Sequence, residues 1–118
     1  MLRFDRMTTK LQEAASEAVK IAKDNGNQEI DIEHLFLALL GSDDGITQPL
    51  LQKLGVNVAA LRSDLEKIIQ GKPKIQGGGQ EFFSTRAGKV FDLAEKEAQA
   101  LKDEYVSTEH VLLALLQD

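Results

Sequence analysis

EIDIEHLFLALL at residues 29–40 and EYVSTEHVLLALL at residues 104–116 each place a Glu-His pair directly before an apolar run. Each run is typical of a short helix whose apolar residues nearly surround it, so both helices are predicted to be buried. Asp31 and Ser107 precede the runs at positions where a short polar side chain caps a helix. The repeated pattern raises the question of whether Glu-His serves chemistry or structure.

The two stretches belong to a longer internal repeat. A shift of 76 residues aligns residues 8–40 with residues 84–116 without a gap, and ten aligned positions are then identical. The long amphipathic stripes before the two runs also match in phase, since Ala14, Ala15 and Ala18 align with Val90, Phe91 and Ala94. One structural unit is therefore used twice. The predicted fold is all-α, with two pseudo-symmetric helical repeats packed as one bundle.

Turn and cap signals divide the chain into a first repeat at 4–71, a linker at 72–80 and a second repeat at 81–118. The first repeat is predicted to hold four helices, the third beginning near Pro49 and the fourth capped by Asn57. The Gly-rich linker is predicted to be flexible. The second repeat has no counterpart of the third and fourth helices and is predicted to be truncated. An exposed apolar patch is therefore expected at Val111, Leu112, Leu115 and Leu116.

Composition limits the function classes. The 118 residues carry a formal net charge of −5 with acids and bases interspersed, which argues against a nucleic-acid partner. No apolar run approaches the length that crosses a membrane, so no membrane partner is expected. Cysteine is absent, which favours a reducing compartment, and a cytoplasmic location is expected.

Motifs of catalysis are missing from the sequence. Each repeat holds one histidine, whereas a helical zinc site needs two histidines one turn apart, so no metal is expected. No nucleophile elbow and no phosphate-binding loop ending in Gly-Lys-Ser/Thr occurs, so the chain is predicted to have no catalytic residues, to use no cofactor and not to be an enzyme. His34 and His110 are expected to pack or hydrogen bond near the starts of their helices.

Several polar residues have both a structural and a functional interpretation. Thr8 and Ser84 precede the amphipathic helices, where a hydroxyl caps the helix and the same amides attract an anion. Glu33 and Glu109 lie in first helical turns, where the macrodipole favours a carboxylate, although each could also bind a guanidinium. Asp103 lies in a turn.

The segments RFDRMTTKLQEAASEA, EHLFLALL and DEYVSTEHVLLALL, with the Gly-rich linker, resemble the amino-terminal repeat domain of the Clp chaperone ATPases. FDRMT and KVFDLAEKEAQALKDEYVSTEH resemble the ClpB-type disaggregase branch, with the protease-linked ClpC type as the alternative. The resemblance implies an eight-helix domain above a hexameric AAA+ ring. Such a domain captures unfolded or aggregated polypeptide and passes it to the ring.

The resemblance also implies site residues. In the ClpB type, Thr8, Asp103 and Glu109 match functional polar positions, and Phe91 and His110 fall near an apolar substrate groove. In the ClpC type, the matching pairs are Thr8 with Glu33 and Ser84 with Glu109, which form two phosphoarginine pockets. Adaptor proteins are further possible partners. A purely structural docking domain is the remaining alternative.

Overall fold

The computed structural model describes residues 4–43, 45–75 and 79–117. Most of them are helical, which confirms the all-α prediction. The helices are α1 (Thr9–Asp24), α2 (Ile32–Leu40), α3 (Thr47–Lys53), α4 (Val58–Gln70), α5 (Thr85–Ala100) and α6 (Thr108–Gln117). A single 3-10 turn, Phe4–Arg6, precedes α1, and two short strands, β1 (Glu29–Ile30) and β2 (Phe82–Phe83), complete the structure.

Four helices begin at the caps that the sequence predicts, and one of them is α2, where the Asp31 carboxylate accepts a hydrogen bond from the Ile32 amide at 2.8 Å. The Thr8 hydroxyl accepts a hydrogen bond from the Leu11 amide at 3.3 Å, and the Ser84 hydroxyl accepts one from the Ala87 amide at 3.0 Å. The Asn57 side chain caps α4 in the same way. Each cap satisfies one amide that has no partner within its helix and contributes about 1 kcal/mol.

The long helices of the two repeats also end alike. Gly26 follows α1 with φ 76°, and Lys102 follows α5 at the equivalent position with φ 60°. In both turns the next amide bonds back into the helix at 2.8 Å, from Asn27 to Ala22 and from Asp103 to Ala98. This left-handed closure is one that glycine adopts freely and lysine adopts at a cost.

The larger hydrophobic core joins the two repeats. Buried residues of α1 and α2 pack there with buried residues of α5 and α6. Alanines at Ala14, Ala18, Ala94 and Ala98 let these helices approach closely. The two repeats therefore form one bundle around a shared core.

A smaller core corrects the prediction of an exposed patch on α6. Leu112 packs with Leu40, Leu51 and Leu65, so α3 and α4 of the first repeat cover the second repeat's short helix. Leu112 is fully buried, as is Val111, and Leu115 is only 6% exposed. Leu116 alone among the four is exposed, and the periodicity within one repeat could not reveal this cover from the other.

Two short parallel connections cross between the repeats, although the sequence shows no convincing strand pattern. β1 pairs with β2 through Ile30 and Phe83, and Met7 forms a single bridge with Val106. Under the 76-residue shift Met7 aligns with Phe83 and Ile30 aligns with Val106, so the two connections are equivalent. The segment before each long helix is therefore bonded to the turn that precedes the other repeat's short helix.

The described part of the predicted linker contacts the first repeat. The Ile75 amide donates to the Gly26 carbonyl at 2.8 Å, and the Pro73 carbonyl accepts from the Asn27 side chain at 2.9 Å. Residues 76–78 of the predicted linker lie outside the described residues.

Within the described ranges, none of the helices combines the length and the apolarity needed to cross a membrane.

Candidate functional site

Polar side chains gather at the start of each short helix, where the parallel connections meet it. We call the group at α2 the first junction, formed by Asn27, Asp31, Glu33, His34, Lys72, Ser84 and Arg86. We call the group at α6 the second junction, formed by Thr8, Asp103, Ser107, Glu109 and His110. The two groups contain matched positions of the repeat but differ in what they leave exposed.

At the first junction, His34 is fully buried and uses both ring nitrogens. Its Nδ1 accepts from the Asp31 amide at 2.9 Å, so its Nε2 carries the proton and donates to the Asn27 side-chain oxygen at 3.0 Å. Burial and the nearby Lys72 ammonium lower the pKa of His34 below its ordinary value. A neutral histidine with both nitrogens bonded serves structure, as predicted.

The acidic side chains of the first junction are neutralised by cations from other segments. The Lys72 ammonium lies 3.1 Å from a Glu33 carboxylate oxygen and 3.2 Å from an Asp31 oxygen. Arg86 of α5 approaches the other Glu33 oxygen at 3.7 Å. The Ser84 hydroxyl donates to Asp31 at 2.8 Å. The Glu33 side chain is only 12% exposed, so the first junction is closed.

These contacts fix the ionisation of the pair that closes the junction. Burial by itself opposes charge on Asp31, but the Ile32 amide, the Ser84 hydroxyl and the Lys72 ammonium outweigh it and lower the pKa of the carboxyl. Burial likewise opposes charge on Lys72, but Glu33 and Asp31 raise the pKa of its ammonium above the ordinary value. Both groups stay charged at neutral pH.

At the second junction, His110 is also buried, at 4% exposure. Its Nδ1 accepts from the Ser107 amide at 2.8 Å, and its Nε2 donates to a carboxylate oxygen of Asp103 at 2.9 Å. Asp103 stands where the first repeat has Asn27, and its side chain is 49% exposed. His110 therefore orients an exposed carboxylate and is not itself presented to solvent.

Glu109 differs from its counterpart Glu33 because it is exposed and forms no ion pair within the described ranges. Exposed apolar side chains lie on the neighbouring segments, namely Phe4, Leu101 and Tyr105. Phe4 and Tyr105 belong to the two segments that the Met7–Val106 bridge holds together. The second junction is thus open, and exposed apolar side chains lie on the segments that meet there.

Backbone contacts bring each capping hydroxyl close to a different glutamate from the one that the ClpC resemblance implies. The Ser84 amide donates to the Ile30 carbonyl at 2.8 Å, which places Ser84 at the start of α2 with Glu33. The Thr8 amide donates to the Val106 carbonyl at 2.9 Å, which places Thr8 at the start of α6, the helix of Glu109. These contacts place Thr8 near the helix of Glu109 and Ser84 near the helix of Glu33, whereas the ClpC resemblance implies pockets of Thr8 with Glu33 and of Ser84 with Glu109.

Phe91, another of the expected site residues, is buried. It is 5% exposed and packs edge-to-face on Phe83, with ring centroids 5.5 Å apart, so it belongs to the core. Phe82, by contrast, is half-exposed.

Sequence reasoning missed Lys72 and the exposed pair Phe4 and Tyr105. Lys72 stands in a Gly-rich stretch that gives no sign of a fixed contact. The two aromatics lie about a hundred positions apart in sequence, and only the bridge brings their segments together.

The part of the chain that the structure describes contains no group of three or more potential metal-ligating side chains. The chemistry available at the second junction is that of two carboxylates, two hydroxyls and apolar surface. Such a surface suits binding through ionic and apolar contacts.

The internal repeat agrees with a comparison with known protein families. The family described as the Clp repeat (R) N-terminal domain matches residues 6–118. The chain belongs to this family. The resemblance noted in the sequence is thereby confirmed, and the Clp repeat architecture accounts for the 76-residue register.

Similar full-length proteins extend the Clp comparison. The chain is 39% identical to the chaperone protein ClpB of Bacillus cereus over 119 residues, covering 98% of this chain and 14% of that protein. It is 40% identical to the Vibrio cholerae ClpB over 118 residues, covering 99% of this chain and 14% of that protein. The chain thus corresponds to an N-terminal domain of the ClpB type and spans a small part of such relatives.

Solved Clp N domains have the same fold. The Hsp104 N-terminal domain of Candida albicans superposes with a TM-score of 0.84 at 25% identity, covering 95% of this chain and 74% of that one. The N-terminal domain of the ClpV1 ATPase from E. coli gives a TM-score of 0.86 at 19% identity, covering 97% and 69%. The second likeness shows the fold alone.

Proposed function

We propose that this Clp repeat domain is a recognition module that binds unfolded or aggregated polypeptide and passes it to AAA+ rings of a hexameric, ClpB-type disaggregase in the cytoplasm. Binding is centred on the second junction. The chain itself supplies recognition and no catalysis. The observation that carries the proposal is that Asp103 and Glu109 are exposed at the junction where a bridge joins the segments of the exposed Phe4 and Tyr105.

The chemistry of this face fits non-native polypeptide. Phe4 and Tyr105 are each 48% exposed, and side chains of this kind gain by covering apolar segments that a folded protein would hide. Glu109 and Asp103 add attraction for basic residues within such segments. Contacts of this size give weak binding, which suits a module that must release its substrate to a motor.

Titration of the 15N-labelled domain with a permanently unfolded, apolar-rich polypeptide tests the proposal. Amide shifts are expected around Tyr105 and Glu109. Combining Phe4→Ala with Tyr105→Ala is expected to weaken binding about fivefold or more, since each truncation removes about half of an aromatic contact surface. Phe82→Ala is the matched control, because Phe82 is equally exposed but lies beside the first junction.

Unchanged affinity of the double variant, or equal loss in Phe82→Ala, would refute the second junction as the binding face. Circular dichroism of each variant checks that the fold is retained. All three aromatics are about half-exposed, so the substitutions leave the buried core intact.

Contacts at the first junction weigh against phosphoarginine binding at that junction. Glu33 is already engaged by Lys72 and Arg86, and the Ser84 hydroxyl is engaged by Asp31. Calorimetry with free phosphoarginine is expected to give no heat. Heat that Glu109→Ala abolishes and Glu33→Ala preserves would instead assign phosphoarginine to the second junction alone.

A structural docking role makes a different prediction for the assembled machine. Deleting residues 1–118 from a full-length protein would then abolish the hexamer. Under the recognition proposal the hexamer persists and disaggregation falls. Sedimentation of the assembly together with a disaggregation assay separates the two outcomes, and adaptor binding can be scored in the same proteins.

A further inference from the structure

A groove on a different face of the domain has no role in the function proposed above. It runs between α1 and α4, both of which pack against α2. Its main part has a volume of about 610 Å³, and a second part of about 390 Å³ continues it towards the end of α1. Ile21, Leu37 and Glu66 line both parts, so the two form one continuous trough.

The floor of the groove is apolar. Leu37 and Ile21 are partly exposed within it, and Ala14 and Ala38 lie at its base. The alanines make the trough deep, since they fill little of the space between the helices. Aliphatic side chains of a ligand would find here an apolar surface that the domain does not cover itself.

The walls of the groove are acidic. Glu17 on α1 and Glu66 on α4 are exposed, and neither forms an ion pair within the described part of the chain. The Lys20 ammonium forms its ion pair with Asp24, at 3.1 Å. Its interaction with Glu17 is a longer-range electrostatic attraction. The walls thus present negative charge on both sides of an apolar floor.

The basic residues nearest the groove are already engaged. Lys10 contacts Asp43 at 2.7 Å, and the Arg62 guanidinium donates to the Leu40 carbonyl at 3.2 Å. They therefore leave Glu17 and Glu66 without a close cationic partner. Arg62 also lines the groove, and a basic ligand would supply cationic partners for Glu17 and Glu66.

We propose that the groove between α1 and α4 docks a short basic amphipathic helix of a partner protein. Aliphatic side chains on one face of that helix lie over Leu37 and Ile21, and flanking lysines or arginines meet Glu17 and Glu66. This arrangement is helix-in-groove recognition with apolar anchors at i, i+3, i+4 and i+7.

The geometry favours a helix over an extended peptide. Both walls are α-helices, whose interior backbone groups are bonded internally, so they offer no edge for strand addition. A helical ligand satisfies its own backbone groups. The α1 wall from Glu13 to Asp24 is about 16 Å long at 1.5 Å per residue, which matches about three helical turns.

A designed helical peptide of about 14 residues, with leucines in the stated pattern and lysines on both flanks, tests the proposal. Fluorescence anisotropy at low salt is expected to show binding that weakens as salt is raised, because exposed charge pairs are screened. A peptide of the same composition with the pattern scrambled, and one with glutamate in place of lysine, are both expected to bind at least about fivefold more weakly.

Protein variants locate the site. Glu17→Gln with Glu66→Gln is expected to weaken binding about 2- to 10-fold, from the loss of two exposed ionic contacts. The matched control is Glu29→Gln with Asp64→Asn, which removes the same charge at exposed positions outside the groove. The control is expected to bind as the unaltered domain does.

Equal binding by the two double variants would overturn the proposal, as would equal binding of the scrambled or acidic peptide. Amide shifts confined to Tyr105 and Glu109 would also overturn it, since the peptide would then occupy the second junction. Shifts at Leu37 and Ile21 with none at Glu109 are the expected result. This outcome does not depend on whether unfolded polypeptide binds the second junction.

Discussion

The two junctions of this domain share a backbone plan and differ in what closes them. Both bury a histidine that accepts a hydrogen bond from the preceding turn. At the first junction the partner of His34 is Asn27, and Lys72 neutralises Glu33. At the second, the partner of His110 is the exposed carboxylate of Asp103. Duplication thus preserved the framework, while a few substitutions and one contact from the linker separated a structural junction from an open one.

The largest expected effect concerns the two histidines. His34→Ala removes a fully buried ring, leaves the Asp31 amide without its side-chain partner and removes one hydrogen bond of the Asn27 side chain, so it is expected to cost about 3 kcal/mol in the free energy of unfolding. His110→Ala is expected to cost less, about 1 to 2 kcal/mol, because water can solvate the exposed Asp103. Urea unfolding measures both. Equal losses of unfolding free energy would contradict the distinction between a closed and an open junction.

The next effect tests Lys72 as the closing contact. Lys72→Ala leaves two largely buried carboxylates without their ammonium partner and is expected to cost about 2 kcal/mol of unfolding free energy. Lys20→Ala is the control, since it breaks an exposed pair with Asp24 and should change stability much less. A Lys72→Ala variant as stable as the control would show that closure of the first junction contributes little.

A smaller effect is expected at the left-handed turns that end the long helices. Gly26→Ala should destabilise the domain by about 1 kcal/mol, because a side chain disfavours its φ of 76°. Lys102→Gly should stabilise it by up to about 1 kcal/mol, because Lys102 holds φ 60° at the equivalent position. Thermal and urea unfolding of both variants measure the pair. Shifts of the same sign would contradict the equivalence of the two turns.

The last prediction concerns the pH dependence of folding stability, and the expected effect is absent near neutral pH. The pKa of His34 lies below its ordinary value of 6.5, so the unfolded chain binds this proton more readily than the folded one. The stabilisation is therefore complete above pH 6.5 and is lost as the pH falls through the folded pKa. Asp31 acts in the same direction at lower pH, from about its ordinary 3.8 downwards. NMR titration of the His34 ring gives its pKa, and a value at or above 6.5 would contradict its burial in neutral form.

Local patterns predicted much of this fold. The caps Thr8, Asn57 and Ser84 stand beside the helices they begin, and the 76-residue register aligned the two junctions before any contact was known. These signals span a few residues or repeat identically, so the chain alone carries them. These local signals, together with the family resemblance, were also enough to predict Thr8, Glu109 and Asp103 as candidate site residues.

Long-range contacts could not be predicted in the same way. A bridge as short as that between Met7 and Val106 leaves no alternation in the sequence, so the exchange of Thr8 and Ser84 between the junctions was hidden. Lys72 lies in a stretch whose glycines indicate flexibility, and its ion pairs override that tendency. Phe91 has the character of either a core or a groove residue, and packing against Phe83 decides between them.

The crossed connections have a consequence for how the domain folds. Arg6 bonds to the Glu104 carbonyl 98 positions away, and the Thr8 amide bonds to Val106 across the same separation. Helices form from local contacts within microseconds, whereas bringing such distant segments together carries a loop-closure cost and comes later. A nascent chain would therefore form most of its helices before residues 103–109 paired with residues 4–8. The face proposed for recognition would be complete only after these two segments had paired.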